Sequence, residues 1–172
     1  MARNDFSRKE VCGGMRERKP GKGAGFTLVE ILLVLAIAAV LISLAVPLYS
    51  EYIEKAKVVR AISEIVSISK SITAYNLENN RYPESLDEVG WGALKDPWGA
   101  PYRYLNIATA LSSHGPGTSP RMDRWVHPIN SDYDLYSIGK DGQSQPPLTA
   151  HMSKDDVIRA NDGAYVGLAS KF

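Results

Sequence analysis

At 172 residues, with 44% hydrophobic and 23% charged content, the chain has room for one modest domain plus an anchoring segment. Its formal charge of +1 hides an asymmetry: seven basic residues against three acidic ones give residues 1–25 a net +4, which leaves −3 for residues 26–172. The only cysteine, Cys12, lies in that basic stretch, so the rest of the chain cannot be stapled by disulfides and must be stabilised in another way.

The basic stretch ends on Gly23-Ala24-Gly25, and a long apolar run follows at once. From Ile31 to Ser50 there is no charged residue, close to the ~20 residues that carry a helix through a bilayer's hydrocarbon core. Basic residues just before such a run hold that end in the cytoplasm and send the other end across; this is preferred to the rival reading of a nucleic-acid arm. In an ordinary secretory signal the small-residue cleavage site follows the apolar core. Here the small residues come first, so a cut beside them would discard the charges and keep the anchor. An uncleaved signal-anchor is the alternative on hydropathy alone.

One carboxylate, Glu30, sits near the start of the run. On insertion scales a carboxylate within a bilayer costs roughly 2.5–3.5 kcal/mol, so it calls for a compensating partner. Pro47 lies inside the run, where it removes a backbone hydrogen bond and crowds the carbonyl of Ser43. The helix is expected to bend or loosen there, with Ser43 re-satisfying part of the freed backbone.

Gly25-Phe26-Thr27-Leu28-Val29-Glu30 resembles the processing site of type IV prepilins and of the pseudopilins of type II secretion. The resemblance implies a membrane-embedded peptidase that cuts after Gly25 and methylates the new amino group of Phe26. A free α-amino group titrates near ~8 and is mostly cationic at neutral pH. Paired with Glu30, on the same subunit or on a neighbour, it would offset much of the cost of both ions. The family places this pair between subunits, where it sets register as each subunit joins the filament base.

Beyond the apolar run the helical pattern continues. Val58, Ile62, Ile65, Ile68, Ile72 and Tyr75 recur at steps of three and four, while Arg60, Ser63, Ser67, Lys70 and Ser71 fall largely on the other face. Asn79-Asn80 followed by Pro83 predicts the stop. The chain therefore divides into a basic leader (1–25), an apolar assembly helix (26–50), an amphipathic continuation (51–80) and a small head (81–172).

In the head, residues 83–89 read as a short helical turn, and 101–105 and 132–137 as strands, with 164–168 as a last strand. Residues 112–119 (SSHGPGTS) read as a loop. Three segments resemble the G-type major pseudopilin in particular: Arg81-Tyr82-Pro83 with Leu86, the block DPWGAPYRY at 96–104, and YDLYSIGKDG at 133–142. This resemblance implies an α+β fold, with a long amino-terminal helix packed on a small antiparallel sheet. It also implies calcium in the loop after 133–142, with Leu135 (through its carbonyl), Ser137 and Asp141 on one arm and Asp155 and Asp156 on the other. Asp162 is a substitute for the second arm. Asp-Gly is also an ordinary turn sequence without any metal. The connection 143–154 is longer than the family's usual one, and so is the segment 105–127.

No catalytic constellation is visible. His114, His127 and His151 share no metal-ligand spacing, and no nucleophile elbow or nucleotide loop appears. The expected role is that of a structural subunit, not an enzyme: a single-pass protein of the bacterial inner membrane with a periplasmic head, extracted into a homopolymeric periplasmic fibre. Its expected partners are copies of itself, minor pseudopilins, the prepilin peptidase and methyltransferase, and a membrane platform driven by a cytoplasmic ATPase. The rival readings are a major type IV pilin of a surface fibre and a monomeric, membrane-tethered calcium-binding or ligand-binding module.

Overall fold

The computed structural model describes residues 25–113 and 119–172. The leader up to Ala24, with Cys12, lies outside them, as do His114 and most of the 112–119 loop. The described residues fall into two compact units, one ending at Ser43 and the other Leu44–Phe172.

Helix α1 covers Leu28–Asn79. Thr27 caps its start, its hydroxyl accepting the backbone N–H of Glu30 at 3.1 Å, which satisfies one of the orphan donors of the first turn. The helix is continuous through Pro47, so the expected loosening is not realised as a break. The Ser43 hydroxyl turns instead to the carbonyl of Val40 at 2.7 Å, and the Ser50 hydroxyl to that of Pro47 at 2.8 Å. At the far end Asn80 takes a positive φ of 53°, a conformation asparagine tolerates better than most residues, and the helix stops there.

The head is an antiparallel meander in the order β1-β2-β3-β4, comprising Arg103–Asn106, Tyr133–Ser137, Val157–Ala160 and Tyr165–Leu168. β1 pairs with β2 from Arg103 opposite Tyr136 to Asn106 opposite Tyr133, and β3 with β4 from Val157 opposite Leu168 to Ala160 opposite Tyr165. Side-chain alternation splits the sheet's residues between two faces. One set packs on α1: Tyr133, Leu135 and Val157 meet Ala61, Ile65, Ile68 and Ile72, all fully buried or nearly so. Each of those isoleucines contributes about 1.5–3 kcal/mol by leaving water. The other set, with Ile158 and Ala160, is covered by Ile129, Leu148 and Ala169. The two long connections that flank β2 thus provide a second layer over the sheet.

Three of the four strands follow the predicted segments to within two residues. β3 (VIRA) is an addition: all four of its residues are buried, so it carries no alternation for a sequence to display. The predicted turn near Pro83 is the 3₁₀ helix Leu86–Val89. A short helix α2, Ile107–Ser113, occupies the start of the long 105–127 segment and takes in the first two residues of the predicted 112–119 loop. The DPWG block is a tight turn in which Asp96 Oδ1 accepts the backbone N–H groups of Trp98 and Ala100 at 3.0 and 2.9 Å.

Candidate functional site

Two places carry the residues singled out by sequence. The first is the start of α1. Phe26 is 78% exposed, and the apolar side chains from Leu28 to Tyr49 are exposed almost without exception. By length and composition this is a helix able to cross a membrane. Glu30 belongs to its first turn, where a negative charge also complements the helix dipole. Among the described residues, a Cβ added to Gly25 would meet nothing within 4 Å, so their packing does not demand glycine there. Sequence reading passed over Thr27, although Thr27-Leu28-Val29-Glu30 is the S/T-x-x-E pattern of a capped helix start.

The second is the turn after β2. Gly139 has φ +65°, and a Cβ there would lie 2.4 Å from the carbonyl oxygen of Asp155, so the turn needs glycine for conformation and for space. Asp155 faces this turn: its Oδ2 accepts the backbone N–H groups of Lys140 and Asp141 at 2.8 and 2.9 Å. Asp141 Oδ1 accepts the N–H of Gln143 at 2.8 Å. Ser137 is fully buried; its hydroxyl donates to Asp96 Oδ2 at 2.5 Å and accepts the N–H of Gly139 at 3.2 Å. Leu135 is a buried residue of β2, opposite Tyr104.

Asp156 goes elsewhere. Its side chain turns to Arg121 and Ser144 of the connections that cover the sheet's second face. There Arg121 Nη2 donates to Asp156 Oδ2 at 2.5 Å, with side-chain exposures of 3% and 0%. Arg121 Nη1 donates to the Ser144 hydroxyl and to the carbonyl of Gln145, the latter at 2.9 Å. The Ser144 hydroxyl donates in turn to Asp156 Oδ2 at 2.6 Å. The backbone N–H of Arg121 donates to Asp134 Oδ2 at 2.6 Å, and the guanidinium carbon lies 4.3 Å from the centre of the Tyr136 ring. Burial pushes the Asp156 carboxyl up to about 6, against the opposing pull of Ser144 and Arg121. Burial likewise raises Asp134, against the N–H of Arg121 and the Asn130 amide.

Of the calcium set implied by resemblance, Ser137, Asp141 and Asp155 meet at the turn after β2, and Asp156 faces the Arg121 guanidinium. Among the described residues, no group of three His, Cys, Asp or Glu side chains is placed to hold a metal ion. Asp155 serves the turn and Asp156 serves a guanidinium. Sequence reading missed Arg121, which stands in a stretch without periodicity and 35 residues from its carboxylate partner.

Residues 22–46 match the model of the prokaryotic N-terminal methylation motif. Curated relatives extend the match to most of the chain. A type II secretion system core protein G of Dickeya chrysanthemi is 32% identical over 149 residues, covering 71% of this chain and 96% of the relative. Proteins of the same name from Klebsiella pneumoniae (34%, covering 77% and 91%) and Pseudomonas aeruginosa (32%, covering 70% and 85%) agree. No solved structure matches the chain. With an exposed apolar helix that opens on a lone carboxylate and a distal half packed on a four-stranded meander, the chain belongs to the type II secretion system core protein G family.

Proposed function

We propose that this chain is the major pseudopilin of a type II secretion system, a structural subunit and not a catalyst. It is inserted in the inner membrane as a prepilin, cut after Gly25 and methylated on the amino group of Phe26. It then polymerises through its apolar helices into a periplasmic fibre, with copies of itself and minor pseudopilins as neighbours. The force comes from a membrane platform with a cytoplasmic ATPase.

The observation that carries this reading is the exposed apolar helix with Glu30 one turn beyond the Gly25–Phe26 bond. An apolar helix exposed in this way needs lipid or other copies of itself. A carboxylate in that setting is tolerable when an ammonium group comes to meet it. Cleavage at Gly25 supplies that ammonium. The open space around Gly25 agrees with a glycine required by the peptidase and not by the fold.

The test is Glu30→Gln in the chromosomal copy. Processing should continue, since the cut bond is untouched, while crosslinked multimers and secreted enzymes both disappear. Normal secretion by the variant would overturn the proposal. A deletion strain that secretes normally but lacks surface fibres would favour a type IV pilin instead.

A further inference from the structure

We propose that Arg121 is the resident cation of the head. Its guanidinium takes over the work a calcium ion would do in such a loop, pinning residues 143–156 to the sheet without any metal. The partners it gathers are those a hard cation seeks: a carboxylate (Asp156), a backbone carbonyl (Gln145) and a hydroxyl (Ser144). The guanidinium reaches Asp156 Oδ2, the Gln145 carbonyl and the Ser144 hydroxyl through N–H donors fixed in one plane, while among the described residues Asp156 Oδ1 and Arg121 Nε have no hydrogen-bond partner. Because both ions are buried, the pair needs such additional hydrogen bonds to offset desolvation.

The two long connections are coupled through this residue. Beside it, the N–H of Met122 donates to the carbonyl of Pro146 at 3.0 Å, and the N–H of Leu148 to the carbonyl of Met122 at 2.9 Å. The carbonyl of Arg121 accepts the N–H of Ile129 at 3.0 Å. Thus the longer 105–127 segment delivers the cation, and the longer 143–154 connection wraps round it. Each unusual length accounts for the other.

Asp155 lines one cavity together with four lysines, Lys55, Lys140, Lys154 and Lys171, and two further carboxylates, Glu51 and Glu54. A divalent ion bound to Asp156 would have to sit against the Arg121 guanidinium, and like charges at such a distance repel strongly away from water.

The experiment uses the mature full-length chain in detergent micelles, unfolded by heat in millimolar calcium or in excess chelator. The wild-type midpoints should coincide, and trypsin should cut at Lys154 no faster in chelator. Arg121→Met should lower the midpoint by about 10 °C or more and open Lys154 to cleavage. Replacing both partners, Arg121→Met with Asp156→Leu, should recover much of that loss, because no buried charge is then left alone. A wild-type midpoint raised several degrees by calcium would overturn the proposal, and so would an Arg121→Met chain as stable and protease-resistant as the parent. Should Arg121→Met fail to fold, the calcium comparison on the wild type still decides. The readout is stability, so it stands apart from any defect in secretion.

Discussion

The indole Nε1 of Trp98 donates to Glu54 Oε2 at 3.0 Å, tying the DPWG turn to α1 just beyond the apolar run. A second indole repeats the device further along the same helix, Trp91 Nε1 donating to the Ser71 hydroxyl at 3.0 Å. Between them the Tyr102 hydroxyl reaches Glu64 at 2.6 Å. The helix is therefore latched to the head by polar groups as well as by its isoleucine stripe.

Trp98→Phe keeps the ring's packing and removes the bond to a charged acceptor. It should cost about 1.5–3 kcal/mol. Trp91→Phe, which loses a bond to a neutral hydroxyl, should cost only about 0.5–1.5 kcal/mol. Urea titration of the mature chain in micelles measures both, and an equal loss from the two would contradict the charge-based ranking.

Gly139 and Gly142 both have positive φ, at 65° and 69°, but only Gly139 has backbone in the way of a side chain. Gly142→Ala should cost about 1–2 kcal/mol, the ordinary penalty for a side chain in a left-handed conformation. Gly139→Ala must in addition push the Asp155 carbonyl aside, and should cost more and loosen the 139–156 contact. Thermal midpoints of the two variants, with hydrogen exchange at Lys140 and Asp141, check the order.

Glu88 gives the head an acid-sensitive contact. The Tyr75 hydroxyl, the backbone N–H of Glu84 and the Arg81 guanidinium hold its carboxyl below the usual value of 4.5. A carboxylate lowered on folding adds stability that is complete above its unfolded pKa and lost as pH falls through the folded one. Glu88→Gln should therefore lower the midpoint at pH 7 and narrow its gap to the parent below pH 4. A constant gap across that range would contradict the assignment.

Glu30→Asp keeps the charge and shortens the reach, whereas Glu30→Gln keeps the shape and removes the charge. If pairing with the Phe26 amine matters, Glu30→Asp should retain some secretion and Glu30→Gln none. Enzyme activity in the culture medium reads the difference.

The helix and its buried stripe were legible because Ile65, Ile68 and Ile72 alternate with polar residues at helical spacing, and Asn79-Asn80 marks the stop. Strands β1, β2 and β4 stood out as short aromatic runs between turn residues. β3 did not, because a strand buried on both faces has no period to show. The motif from Gly25 to Glu30 was legible because it is local, six consecutive residues ahead of a charge-free run. The environment of Asp156 was not: which face an extended residue takes depends on register, and its partner Arg121 arrives from another connection. Asp155 stands in a turn and Asp156 directly before β3, so the two adjacent carboxylates meet different partners.

On the proposed reading, a cut at Gly25 creates the ammonium that Glu30 requires. Intact-mass spectrometry of the protein purified from membranes tests this most directly. The expected species begins at Phe26 and carries one added methyl group. A species that retains residues 1–25, or that begins at any other residue, would contradict it.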